Sequence, residues 1–200
     1  MTQLERLKSH VSALAQNSSF KHHQWFLKYH LEIVERLSLE LCSLYPEANR
    51  DMVLALVWIH DYEKILGNTS NRQSYQNTRD VLLQCGFSAD MQQRLISQLE
   101  ILDKKLDLDL NLAAIEVKIV SSADAASHLL GPFFYLWWYE NSEKSYFELM
   151  QDNRKKLEKD WQYKIVLPEV KHVFESRYQL VLEQSGQLEA RYFDNFGLEG

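Results

Sequence analysis

The chain has 200 residues, 46% of them apolar, which is enough to bury the core of one domain and excludes a disordered polymer. Its 22 basic and 28 acidic residues leave a formal charge of −6 with no basic block or arm, so a small ligand is expected and a nucleic-acid polymer is not. The only cysteines, Cys42 and Cys85, exclude a disulfide framework and a multi-cysteine zinc site and fit a reducing compartment.

With six glycines and three prolines the chain has few enforced turns, and the stretches between them carry helical spacing. Leu4, Leu7, Val11 and Leu14 predict a first helix from Thr2 to Gln16, without the long apolar region of a secretory signal. Phe26, Tyr29, Ile33, Val34, Leu37, Leu41 and Leu44 predict a helix from His22 to Leu44, closed by Pro46, with His30 inside its apolar stripe. From Met52 the sequence MVLALVWIHDYEKIL is apolar nearly all round until His60, which predicts a central buried helix capped by Gly67. Two amphipathic helices follow, Arg72 to Cys85 with Gly86 as cap, and Ala89 to Lys104 after Ser88 as N-cap. LDLDLNL, from Leu106 to Leu112, alternates like a strand but has no partner strand, and reads as the approach to a helix from Leu112 to Leu130. Gly131 and Pro132 end that helix and interrupt the longest apolar run, Leu129 to Tyr139, which is too short to span a bilayer. An aromatic, then charged, helix is expected from Phe133 to about Leu157, a connection from Trp161 to Leu167, and a last helix from Pro168 to about Gln184, before Gly186 releases a tail. The expected product is one all-α domain over residues 1–200, a helical bundle that is soluble and cytoplasmic.

An imidazole or carboxylate on an apolar helix face needs a hydrogen bond, an ion pair or a metal to be tolerated there. Three predicted core helices each carry such an intrusion: His30 in KYHLEIV, His60 with Asp61 in WIHDYEK, and Asp124 in SSADAASH. Singly, each has an ordinary explanation, as a satisfied core histidine, a helix-terminal acid or a hydrogen-bonded aspartate. Together they form a mixed nitrogen and oxygen set suited to one divalent ion such as Mn, Fe, Co, Ni, Zn or Mg, with open positions for water. Adjacent helical residues point about 100° apart, so His60 and Asp61 share an ion only if it sits in a notch between helices.

The order His, then His-Asp followed three residues later by Lys64, then Ala-Asp, resembles the HD superfamily of metal-dependent phosphohydrolases. The matching stretches are YHLEIVERLSLEL, LVWIHDYEKI and VKIVSSADAASHL, within about residues 22–131. The resemblance implies that His30, His60, Asp61 and Asp124 bind a divalent metal that activates water for attack on a phosphate ester. Asp61 and Lys64 are the expected catalytic residues, the ammonium of Lys64 offsetting charge on the transferring phosphoryl group; a surface ion pair is the alternative for Lys64. Many members carry further histidines between the pair and the last aspartate, whereas residues 62–123 hold none, which favours a single metal over two and disfavours a two-iron oxygenase. Lys64 also stands where members acting on deoxynucleoside monophosphates often have glutamate.

His128, one turn after Asp124, either touches substrate, orients the carboxylate or is an ordinary helix-end residue. Ser121 and Ser122 read as packing choices, His22 and His23 as solvated or capping residues, and Glu100 and Asp103 as carboxylates without an assigned role. The aromatic run GPFFYLWWYEN reads as core and interface packing before a pocket wall, and NRKKLEK, residues 153–159, as a solvated helix face. The expected activity is hydrolysis of a small phosphorylated compound, such as a nucleotide; the alternative is a non-catalytic module of the same type that binds a nucleotide or a partner. No nucleic-acid polymer and no membrane are expected as partners, and a homodimer stays open.

Overall fold

The computed structural model describes residues 1–67 and 74–185, and among them every regular element is a helix and no strand occurs. Thr2 starts α1 (Gln3–Ala15) with a reciprocal capping box to Glu5, and the helix buries Leu7, Val11 and Ala15. The helix expected from His22 is different: turns lead into a π turn, Leu27–Leu31, and only then does α2 (Glu32–Leu44) begin. The wider turn puts Leu27, His30 and Leu31 all in the interior, and such turns mark functional positions in helices.

Asn49 caps α3 (Arg50–Ile59), in which every residue from Met52 to Ile59 is buried, as expected of a central helix. The predicted continuation to Gly67 breaks at His60 and Asp61, where Asp61 leaves helical geometry (φ −116°, ψ 14°) before the short α4 (Tyr62–Ile65). Gly67 follows with a positive φ of 76°, as a cap requires. Of the helix predicted from Arg72, residues 72 and 73 lie outside the described residues, and α5 spans Gln76–Gln84. Glu63, buried beneath it, accepts hydrogen bonds from Thr78 N, Thr78 Oγ1 and Asn77 Nδ2, and so serves as a cap borrowed from another helix. Arg6 donates from Nε and Nη2 to the Cys85 carbonyl at 2.9 and 2.6 Å, tying α1 to the end of α5.

Ser88 caps α6 (Ala89–Asp103), and Leu110–Leu112 forms a 3₁₀ turn rather than a strand. Next comes α7 (Ile115–Ser127), buried along almost its whole length and packed against α2, α3, α6 and α10. The single helix expected over 133–157 is two, α8 (Phe133–Glu140) and α9 (Tyr146–Lys159), because Ser145 and Glu148 form a second capping box that restarts the chain. The connection expected from Trp161 is instead largely a π turn, Asp160–Lys164, that extends α9. Pro168 opens α10 (Pro168–Gln184) as the first residue, as predicted; Gly186 and the tail lie outside the described residues. No helix among the described residues is long and apolar enough to cross a membrane.

Candidate metal centre

The π turn, the break after α3 and the middle of α7 deliver the predicted residues to one place. His30 Nε2 lies 3.6 Å from Asp124 Oδ1 and 3.9 Å from Asp61 Oδ2, while His60 Nε2 lies 3.9 and 3.7 Å from the same two oxygens. His30, His60 and Asp124 offer ligand atoms all within 4.8 Å of one another, a group able to hold a metal ion. His60 keeps helical backbone angles, and it is the break at Asp61 that lets both side chains face the cluster; a straight helix through Asp61 would turn them apart.

The imidazoles are fixed from behind. Nδ1 of His60 lies 2.7 Å from the Val57 carbonyl, which can only accept, so Nδ1 carries the proton. Nδ1 of His30 lies 3.0 Å from Ser127 Oγ, whose own proton goes to the Asp124 carbonyl at 2.7 Å, so His30 too donates from Nδ1. His128 presents Nδ1 to Asp160 Oδ2 at 2.7 Å and stacks on His30 at 5.2 Å. Each Nε2 is left with a lone pair facing the cluster. His128 Nε2 stands 3.7 Å from Asp124 Oδ1, and His60 Nε2 is buried with no hydrogen-bond partner. A buried acceptor without a partner is costly, and outer partners of this kind are what set the tautomer of metal-binding histidines.

Four lysines surround these groups. Lys64 Nζ donates to Asp61 Oδ2 at 3.0 Å, Lys105 to Asp124 Oδ2 at 3.3 Å and Lys156 to Asp160 Oδ2 at 3.1 Å. Lys164, buried, bridges Asp124 Oδ2 at 3.4 Å and Asp160 Oδ1 at 2.6 Å. Burial alone would raise the carboxyl pKa values. The Lys64 ammonium and the histidines outweigh it at Asp61, Lys164 and Lys105 at Asp124, and Lys156, His128 and Lys164 at Asp160, holding all three well below the usual carboxylate range. Burial, reinforced by Lys164, pushes Lys156 down to about 8 and also lowers Lys105.

All four ammonium groups line one cavity of about 280 Å³ with His30, Asp61, Asp124 and His128, walled by Trp25, Phe26, Phe133 and Trp137. A second opening of about 180 Å³ reaches His60, Asp61 and Asp124 past Asp103. Glu100 lines neither cavity.

Several expectations are corrected here. His22, read as solvated or capping, lines the cavity and bonds Glu140 through Nδ1 at 2.5 Å, and Glu140 also accepts from Trp25 Nε1. The aromatic run is pocket wall at Phe133 and Trp137, while Tyr135 and Tyr139 point outward. NRKKLEK is not simply a solvated face, since Asn153 is buried and Lys156 turns into the cavity. Lys64, about one-third exposed, makes the ion pair with Asp61 that was the alternative reading and also lines the cavity. Ser121 and Ser122 are packing residues, as expected, bonding the backbone of residues 164, 166 and 167. Lys105, Lys156, Asp160 and Lys164 were not read as site residues. The signal for three of them was the four-residue spacing of Lys156, Asp160 and Lys164.

Burial, then Lys156, holds His128 down to about 4 against 6.5 for the free side chain, and His30 is lowered in the same direction by burial and by His128. A histidine depressed in the fold takes its proton more readily when unfolded. Its contribution to stability is therefore complete above about 6.5 and shrinks as pH falls toward 4. Chelator-treated protein should lose on the order of 2–3 kcal/mol across that window. A melting temperature that stays level down to the acid end would contradict this.

Compared with known proteins, the chain matches no family model, no curated protein and no solved structure.

Proposed function

We propose that the protein is a metal-dependent phosphohydrolase of the HD type acting on a small phosphorylated compound. The observation that carries this reading is the convergence of Nε2 lone pairs from His30 and His60 with the carboxylates of Asp61 and Asp124 in a cavity lined by lysines. The unpartnered Nε2 of His60 and the mixed nitrogen and oxygen donors fit a divalent ion of the Mn, Fe, Co, Ni, Zn or Mg group, held by His30, His60, Asp61 and Asp124. When bound, such an ion supplies a nucleophile at neutral pH by acidifying a water.

The rest falls to the chain. Lys64 holds Asp61 in place and offers its remaining N–H donors to the phosphoryl oxygens. Asp160 orients His128, whose Nε2 faces the position of the reacting group. Trp25, Phe26, Phe133 and Trp137 give the organic portion of the substrate an apolar wall and keep bulk water from the charges.

The test is elemental analysis of the purified protein, followed by assay of metal-supplied protein against a generic phosphate ester and a nucleotide panel. We expect stoichiometric metal, and turnover abolished by chelator and restored by metal. Metal without turnover would instead support a non-catalytic binding module, and protein that takes up no metal would refute both.

A further inference from the structure

Lys105 arrives from the segment after α6, and Lys156 and Lys164 from α9 and the π turn that follows it, yet all three ammonium groups gather on the side of the cavity beyond Asp124. They carry nine N–H donors between them. Lys105 spends one on Asp124, Lys156 one on Asp160, and Lys164 one on each. More than half of the donors have no acceptor among the described residues. Cations crowded this closely repel one another, and a surplus of donors facing a cavity calls for an oxygen-rich anion.

The charge count says which anion. Four ammonium groups face the three carboxylates Asp61, Asp124 and Asp160, an excess of one positive charge that a bound divalent ion would raise to three. Glu140, bonded to His22 and Trp25, does not itself line the cavity. A doubly charged phosphoryl group cancels most of that excess, whereas a singly charged diester leaves twice as much. A diester also replaces one terminal oxygen with an ester oxygen, a poorer acceptor that brings its substituent into the lysine corner.

We propose that Lys105, Lys156 and Lys164 form an anion cradle that selects a dianionic phosphoryl group, so that the cavity takes phosphomonoesters in preference to phosphodiesters. The choice of substrate rests on the phosphohydrolase reading; the cradle itself does not, because its donors belong to the lysines.

The experiment is titration calorimetry of the full chain at neutral pH, where Lys156 keeps its proton, with difluoromethylphosphonate, which carries two charges there, and with its monomethyl ester, which carries one. It is run on chelator-treated protein and again with added Mn²⁺. With Mn²⁺ the dianion should bind about tenfold tighter or more, and in chelator-treated protein, where the excess falls to one charge, the preference should shrink. Lys156→Met, at a half-buried position where Lys164 and His128 still hold Asp160, should erase most of that preference, and Lys105→Met should act likewise. Equal affinities for the two ligands in the unaltered, Mn²⁺-supplied protein would overturn the cradle, as would both variants keeping the full preference. The two readings fail separately. A preference without hydrolysis of any monoester would sink the hydrolase and leave the cradle, and diester turnover without a preference would do the reverse.

Discussion

Asp124→Ala should remove the metal and cost about 3 kcal/mol of stability in the metal-free protein. The side chain is buried in the middle of α7, where Oδ2 receives Lys105 and Lys164 and Oδ1 lies within 4 Å of the Nε2 atoms of His30, His60 and His128. Alanine leaves Lys164 buried with Asp160 as its one carboxylate, while half-buried Lys105 can turn toward water. That asymmetry keeps the cost near the lower end for a broken buried pair. For a chain of this size it corresponds to a melting temperature lower by roughly 6–12 °C. Asp124→Asn keeps the volume and one oxygen but loses the charge, so it should recover part of the stability and none of the metal. Thermal melts with elemental analysis of both variants check this; an alanine variant that melts like the parent and still holds stoichiometric metal would show that Asp124 does neither job.

What was legible in the sequence was local. The stripe of Leu7 and Val11, the Ser88 cap, the glycine ends and Pro168 as an opening residue all act through neighbours within one or two turns, and the helices stand close to where that chemistry puts them. The clustering of His30, His60, Asp61 and Asp124 was legible for a related reason: polar groups on apolar helix faces stand out in the chain before any contact is known. The π turn at Leu27–Leu31 and the break at Asp61 were not, because each is a compromise between a helix that would continue and a side chain that must face the centre. The lysine corner was hidden by distance. Lys164 lies 40 residues from Asp124 and looks like a surface charge until α7 and the π turn after α9 meet. Charged residues at helical spacing are usually solvated, so NRKKLEK gave a true general signal that failed at Lys156, where Asp160 and the cavity outweigh solvent.

Asp61→Ala should have the opposite profile, a large loss of function with a small loss of stability. The carboxylate sits at the chain break after α3 rather than inside a packed helix, and its one ammonium partner, Lys64, is about one-third exposed. An ion pair in that setting contributes within about 1 kcal/mol. In metal-free protein, removing Asp61 also relieves its repulsion with Asp124, which offsets part even of that. For function there is no such compensation: Asp61 Oδ2 is the oxygen nearest both His60 Nε2 and Lys64 Nζ, so its loss removes a ligand and releases the ammonium that faces the phosphoryl group. A fall in turnover of about a thousandfold or more, equivalent to roughly 4 kcal/mol of barrier, is expected. Asp61→Asn separates charge from size, and should be nearly as inactive if the negative charge is what holds the ion. The measurements are metal content, turnover of a generic phosphate ester and a melting curve for each variant. An alanine variant that folds, binds metal and turns over like the parent would remove Asp61 from the site, and with it the pairing of His60 and Asp61 on which the hydrolase reading was first built.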